Sequence, residues 1–414
     1  MATLLLAVEN DRNAQNAEDL MINKSWDVVI AGGAVTGSST AWWLMGMSPK
    51  LRVLVVEPDP TYAQSATALS VASVRQQFSN PINVEISRFG VDFIREFGDR
   101  IGPSGGVPSL GLKENGYLYL AGTPEGASMM EELAVMQRSL GASTEVLDAT
   151  ELTRRFPWMN VEDITAGSIG LRDEGWFDNM GLLGGFRNAA RARGAVYVKD
   201  RVIGLDRDGD AITGAILAEN GRVVAGAFLN AAGTASASVC AMADLSLPVE
   251  PRKRTVFVID APNARHPDAP LIIDHSGIYL RPEHDQWITA TVPGDDGPCA
   301  ATDWEPDHAQ FEDLIWGRLY QRAEGFDAVK VSRLWVGHYD YNTLDQNAVL
   351  GRWPGTRNFY VAAGFSGHGL QQSPAVGRGM AEHILTGSYQ TLDLSPMGAE
   401  RIAADRPFLE RAII

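Results

Sequence analysis

The chain has 414 residues, with 51 acidic against 35 basic side chains and a formal net charge of −16. At roughly 100–200 residues per domain this length predicts about two or three folding units. A content of 45% hydrophobic and 21% charged residues is that of a globular protein with a sizeable core. So large an acidic excess repels phosphate backbones and argues against a general nucleic-acid binder. No apolar run reaches the ~18–20 residues of a membrane-crossing helix, so no transmembrane segment is expected. Residues 2–8 are apolar but short, and 10–19 are polar and acidic. Lacking both a basic n-region and the Arg-rich, acid-poor character of a transit peptide, residues 1–24 read as an N-terminal extension of a cytoplasmic protein. Cys240 and Cys299 form no CxxC, and the seven histidines form no HExxH or HxH. Neither a disulfide framework nor a metal site is expected.

The clearest signal comes first in the chain. WDVVIA at 26–31 predicts a buried strand. GGAVTG at 32–37 follows, 38–45 predicts a helix, and 51–56 predicts a second strand that ends on Glu57. This is the first unit of a dinucleotide-binding fold. Gly32 permits the tight turn, with Gly33 beside it. Ala34 stands at the middle glycine of the fingerprint and narrows the approach to a pyrophosphate. Val35, Thr36 and Gly37 open the helix, whose amides and dipole favour phosphate. Glu57 can accept from both ribose hydroxyls and disfavours a 2′-phosphate, so NADP is not expected.

The alternation breaks after Glu57. Residues 67–78 hold small side chains and then RQQF. Helices are predicted over 83–97 and 129–140, with a strand of another sheet over 112–121. The α/β pattern resumes with a helix over 180–193, strands at 195–199 and 202–205, and a strand over 223–229 that runs into NAAG at 230–233. DRDGD at 206–210 lacks the rest of a calcium loop and predicts a hairpin turn. The segments 254–259, 277–281, 286–292 and 333–339 predict antiparallel strands. The basic run Arg252, Lys253 and Arg254 predicts a solvated lead-in to the first of them. YVAAG at 360–364 leads into FSGHGLQQ at 365–372 and a helix through 375–385. Trp42 and Trp43 are expected in the core. A cofactor domain assembled from separated pieces, with a sheet-rich domain between them, suits a flavoprotein, so the expected fold class is α/β, or α+β overall: a Rossmann-like FAD-binding domain with an interleaved antiparallel-sheet substrate domain. The FAD-binding domain is expected over 25–105, 173–247 and 345–390, the substrate domain over 106–172 and 248–344, and a C-terminal tail over 391–414.

Three stretches extend the fingerprint: SVRQQFS at 73–79, YDYNTLDQN at 339–347, and GFSGHGLQQ at 364–372 with TLDLSP at 391–396. With them the chain resembles the D-amino acid oxidase (DAO) superfamily of FAD-dependent oxidoreductases over roughly 27–395. It is most similar to the branch that contains a mitochondrial complex I assembly factor and its bacterial relatives. Monomeric sarcosine oxidase, dimethylglycine dehydrogenase and glycine oxidase are more distant. The resemblance implies FAD and oxidation of a C–N bond in a secondary or N-substituted amino acid. Hydride would pass to the flavin and the imine would then be hydrolysed. A small-molecule substrate and oxygen or another electron acceptor follow from it. A flavin-binding scaffold with vestigial activity, or a 2-hydroxy-acid oxidoreductase, are the alternatives.

Carried onto this sequence, the family's cofactor contacts fall on Gly32, Gly33, Ala34, Val35, Thr36, Gly37, Glu57 and Pro58. They continue with Ser65, Thr67, Ser70, Arg75, Gln76, Gln77, Val202, Ala232 and Gly233. At the flavin they fall on Gly364, Ser366, Gly367, His368, Gly369, Leu370 and Gln371. The cysteine that binds FAD covalently in sarcosine oxidases has no counterpart at 335–339, so non-covalent FAD is expected. Gln371 replaces the family's carboxylate-binding lysine. No lysine stands near 286–288 to promote reaction with oxygen, which favours dehydrogenase over oxidase behaviour. Arg281 is the candidate partner of the substrate carboxylate, with Tyr279 on the same strand face; a structural salt bridge is its other reading. Arg75, His338, His368 and Gln371 complete the expected catalytic set.

Overall fold

The strand Ser25–Ala31 buries Val28, Val29 and Ile30 on both faces, as a central parallel strand must. The protein is described by a computed structural model over residues 25–411. The expected extension over 1–24 lies outside the described residues. Val53–Glu57 lies parallel on one side of Ser25–Ala31 and Gly221–Asn230 on the other. The sheet continues outward to Val196–Lys199 at one end. At the other end it continues to Phe359–Ala363 and then, antiparallel, Val349–Arg352. The hairpin of Val202–Asp208 and Ala211–Leu217 pairs with Gly221–Asn230, which makes 206–210 the end of one strand and the turn after it.

Two helices cover one face of this sheet in close contact. Val35–Met47 and Gly369–Thr386 approach so nearly that a Cβ on Gly377 would fall 2.1 Å from Ser39 Oγ. Ser39 Oγ donates to the Ser373 carbonyl at 2.8 Å, and Trp43 Nε1 donates to the Pro374 carbonyl at 3.1 Å. Pro374 lacks the N–H that a helix interior expects. The Leu370 carbonyl it leaves accepts from Ser373 Oγ at 2.9 Å instead. Trp42 is buried against Phe93 and Phe186, while Trp43 is half-buried.

The second sheet has eight strands, in the spatial order Lys330–Asn342, Val249–Asp260, Gln286–Thr291, Ile278–Glu283, Leu271–Ile273, Tyr117–Ala121, Ala166–Gly170, Thr144–Asp148. All pairs are antiparallel except Leu271–Ile273 with Tyr117–Ala121. Its apolar face packs Phe257, Leu280, Trp287, Leu319 and Phe326 into a separate core.

Several element bounds differ from expectation. The helix expected over 129–140 starts at Pro124, because Thr123 Oγ1 caps it by accepting from Gly126 N at 3.1 Å. The helix expected from 375 starts at Gly369, inside the glycine motif. The strand expected from 112 starts at Tyr117. The basic run 252–254 is not a solvated lead-in. It lies within Val249–Asp260, half-buried against Lys330–Asn342. The C-terminal segment is docked: Arg401 bonds both oxygens of the buried Asp345, and Glu410 accepts from Ser79 N at 2.7 Å and Asn83 Nδ2 at 2.9 Å.

Candidate functional site

The turn after the first strand accepts nothing larger than glycine at two positions. Gly32 has φ of +98°, and a Cβ there would lie 2.3 Å from the Ala231 carbonyl oxygen. A Cβ on Gly37 would lie 1.9 Å from the Gly32 carbonyl oxygen. Helix Val35–Met47 therefore starts hard against the strand. Its N-cap, Ala34, supplies no side-chain cap, and its first turn carries no acid, which leaves the positive helix end for an anion. Val35 N reaches Thr67 Oγ1 at 3.4 Å. Glu57 accepts from Gly33 N at 2.8 Å and Asp59 N at 2.9 Å. Burial raises its carboxyl above the ordinary value against these two bonds.

From this turn a cavity of about 800 Å³ runs between the two sheets. At one end it is lined by Glu57, Pro58, Ser65, Thr67, Ser70, Val202, Ala232 and Gly233, along with Ala34, Val35 and Thr36. Gly33, Gly37 and Gly364 are not part of its wall; they shape the turns behind it. At the far end the wall is Ser366, Gly367, His368, Gly369, Leu370 and Gln371, with Arg75, Tyr279 and His338.

The far-end loop is built on Asp340. Its Oδ2 accepts from Gly364 N at 2.6 Å and Phe365 N at 3.2 Å, and its carbonyl accepts from Ser366 N at 2.8 Å. Burial raises this carboxyl to about 6. Ser366 holds φ of +50° while its Oγ accepts from Asn342 N at 3.0 Å. The loop delivers His368 as the N-cap of Gly369–Thr386, a helix with no side-chain cap and no acid in its first turn. A second amide-rich helix end thus opens on the same cavity.

Arg75 and His368 meet there. Arg75 Nη2 lies 3.0 Å from His368 Nε2, and the guanidinium carbon sits 3.9 Å from the centre of the Phe78 ring. Burial, helped by the Arg75 charge, lowers the imidazole to about 3, so His368 is neutral. A guanidinium only donates, which assigns Nε2 as acceptor and puts the ring proton on Nδ1. Gln371 accepts from Arg75 N through Oε1 at 2.7 Å. His338 Nε2 donates to the Asp303 carbonyl at 2.7 Å, and its ring stacks on Trp304 at 3.9 Å. Burial lowers it too.

Three expected site residues are placed elsewhere. Gln76 and Gln77 are off the cavity wall: the main-chain N–H of Gln76 donates to the buried Glu174 at 2.6 Å, and the Gln77 side chain turns to it through Nε2 at 2.8 Å. Gln77 also bonds the Tyr117 carbonyl and Ser168 Oγ. Arg281 is off the wall as well. It pairs with Glu283, donates through Nε to the Val71 carbonyl at 3.2 Å, and lies over Trp176. Being two residues beyond Tyr279 on the strand keeps it on the same face but carries it past the cavity. In its place the wall includes Arg254, Tyr339, Trp304, Tyr117 and Asp340. Arg254 was hidden in sequence by its basic neighbours. Trp304 and Tyr117 carried no motif.

The turn, the two helix ends and Glu57 fit an elongated dinucleotide. Gly32, Ala34–Thr36 and Glu57 would hold its adenosine and phosphate part, and Arg75 with 366–369 its flavin ring. The sequence model of the family described as FAD dependent oxidoreductase (DAO) matches residues 27–383. FAD-dependent oxidoreductase domain-containing protein 1 of Xenopus laevis is 38% identical over 423 residues, covering 94% of this chain and 85% of that protein. Among solved structures, L-proline dehydrogenase from P. horikoshii superposes with a TM-score of 0.81 at 24% identity, over 92% of this chain and 98% of that one. Glycine oxidase from Geobacillus kaustophilus gives 0.76 at 22% identity, over 91% and 98%.

Proposed function

Since the chain belongs to the DAO family of FAD-dependent oxidoreductases, we propose that its substrate is a secondary or otherwise N-substituted amino acid, oxidised at a carbon–nitrogen bond. In this reading residues 25–105, 173–247 and 345–390 form the flavin unit, and 106–172 and 248–344 the substrate unit. FAD is held without a covalent link. This is supported by the absence of both cysteines from the cavity wall: Cys240 is buried against Asn230, and Cys299 Sγ donates to the Pro251 carbonyl.

The bound flavin supplies the acceptor for the hydride that leaves the substrate carbon. The observation that carries the proposal is the start of Gly369–Thr386 beside the neutral His368. With no side-chain cap and no acid in its first turn, its amides present partial positive charge at this end of the cavity. A positive wall disfavours an ammonium and draws a carboxylate, so the amine enters as the free base, the form that can release hydride. His368, neutral at any working pH, does not take a proton from it. The walls of Tyr117, Tyr279, Tyr339 and Trp304 exclude bulk water while the donor carbon is oriented. The imine is hydrolysed once water reaches it.

The test is anaerobic addition of sarcosine, iminodiacetate, proline and opine-type acids to the FAD-loaded protein, read by visible absorption. Bleaching by one or more of them is the expected result. Bleaching by 2-hydroxy acids alone would replace the amine with a hydroxyl donor. A flavin that no acid reduces would leave a binding protein without this chemistry.

A further inference from the structure

We infer that Arg254 takes the substrate's carboxylate, and that Asp296 is an internal carboxylate which holds that position until substrate displaces it. The inference rests on the reading above that the substrate is an amino acid.

Arg254 lies on the cavity wall with Tyr279 and Tyr339, on the strand face that Arg281 leaves unserved. Its guanidinium makes a two-pronged contact with Asp296: Nη1 to Oδ1 at 2.5 Å and Nη2 to Oδ2 at 2.9 Å. Nη2 also donates to Tyr339 Oη at 2.6 Å. A bidentate carboxylate beside a tyrosine hydroxyl is the arrangement an amino-acid carboxylate would require of this site. Here the protein's own aspartate fills it.

Asp296 can leave at modest cost. It sits in PGDDGP at 293–298, between Gly294 and Gly297, and short glycine-flanked segments absorb backbone rotation readily. It has a second cation: Arg252 Nη1 reaches Oδ2 at 3.0 Å while Arg252 also bonds Glu250. Released from Arg254, Asp296 remains paired. The segment before it ends in the paired strand Gln286–Thr291, and the segment after it stays fastened along the stretch of Val249–Asp260 that this strand leaves unpaired. Cys299 N donates to the Pro251 carbonyl at 2.9 Å, Lys253 Nζ bonds Asp303 Oδ2 at 2.7 Å, and Asp307 N donates to Thr255 Oγ1 at 3.1 Å. Motion is thereby confined to the tip that carries Asp296. Desolvation alone would raise the Asp296 carboxyl; its bonds to Arg254 and Arg252 hold it below the ordinary value, so it competes as an anion.

The experiment titrates FAD-loaded protein with pyrrole-2-carboxylate and, separately, pyrrole-2-carboxamide, following the flavin absorption band, with no turnover required. Arg254→Gln should weaken the carboxylate by about tenfold or more and leave the amide unchanged. Arg254→Lys should recover part of the loss. Asp296→Asn should tighten the carboxylate several-fold. Hydrogen exchange of the 293–298 amides should quicken in wild type when the carboxylate binds. If Arg254→Gln and Asp296→Asn weaken binding alike, or exchange at 293–298 does not respond, the pair only fastens the strap and the inference is overturned. Failure of wild type to bind the carboxylate overturns it too. Arg254-dependent binding without reduction by any amino acid would retain this site and discard the amine chemistry.

Discussion

Arg75 and Arg281 are both buried arginines, 2% and 5% exposed, yet their surroundings give them different work. Arg75 leans on Phe78 and hands hydrogen bonds to the Gln77 carbonyl and to a neutral histidine at the cavity, so it fixes the position and tautomer of that imidazole. Arg75→Gln should lower kcat/KM by ~10²–10³, the usual cost of removing one preorganised donor, with FAD content retained; stopped-flow reduction rates check this. Arg281 has its charge neutralised by Glu283. Arg281→Ala should leave KM unchanged and cost about 1–3 kcal/mol of stability through the polar partners it strands, measured by chemical unfolding. Glu57 shows a third use of charge. It orders the amides of Gly33 and Asp59 and still faces the cavity, so Glu57→Gln should weaken FAD by roughly 10–100-fold, the range of a lost charge-assisted bond, read by equilibrium dialysis.

At the scale of elements, the loop 364–368 owes its shape to a strand it is not adjacent to in sequence. Asp340, inside Lys330–Asn342, gathers the amides of Gly364 and Phe365 and so aims the N-terminus of Gly369–Thr386. Its carboxyl is raised from 3.8 to about 6 by burial, so the fold favours the protonated form. The contribution is whole below the ordinary value and is lost as pH rises through about 6, a change on the order of 3 kcal/mol. Asp340→Asn should remove that dependence: the stability gap between wild type and variant should shift in the variant's favour between pH 4 and pH 7. Unfolding curves at several pH values test it. The pairing of Val35–Met47 with Gly369–Thr386 works the same way, since small residues at Ser39 and Gly377 bring both helix starts onto one cavity.

For the whole molecule, the cavity between the two sheets couples cofactor to fold. FAD at about 100-fold above its Kd should stabilise the protein by about 2.7 kcal/mol, seen as a rise in thermal midpoint over the apoprotein. The same enclosure fixes the pH dependence of turnover. With His368 lowered to about 3 and His338 lowered as well, and with the carboxyls of Asp340 and Glu174 titrating at about 6 and about 7, the substrate amine is the group that titrates at higher pH. kcat/KM should therefore rise with pH in step with the free-base fraction of the substrate. A rate–pH profile with substrates of different amine pKa checks this, the inflection moving with the substrate. No described helix is long and apolar enough to cross a membrane.

Some of this was readable from the chain alone, for reasons that are local. Gly37 answers to atoms of the same strand–turn–helix unit, and the positive φ of Gly32 belongs to the turn itself, although the atoms that crowd it are those of Ala231 and Ala232. The spacing of the two glycines, with Glu57 about 20 residues on, marks a nucleotide turn wherever the rest of the chain goes. The helix expected over 83–97, which spans Pro81–Arg95, and most strands followed from periodicity in the same way. Which of two arginines lines the cavity did not. Arg281 and Arg254 both lie on strands of one sheet, and only register, the reach of Glu283 and the course of the strap at 293–298 decide between them. The Gln77 side chain and the Gln76 backbone amide are claimed by the buried Glu174 from across the fold. Arg75 and His368 stand 293 positions apart. Local backbone geometry is written in neighbouring residues; the partner of a buried charge is chosen by what the finished fold places beside it.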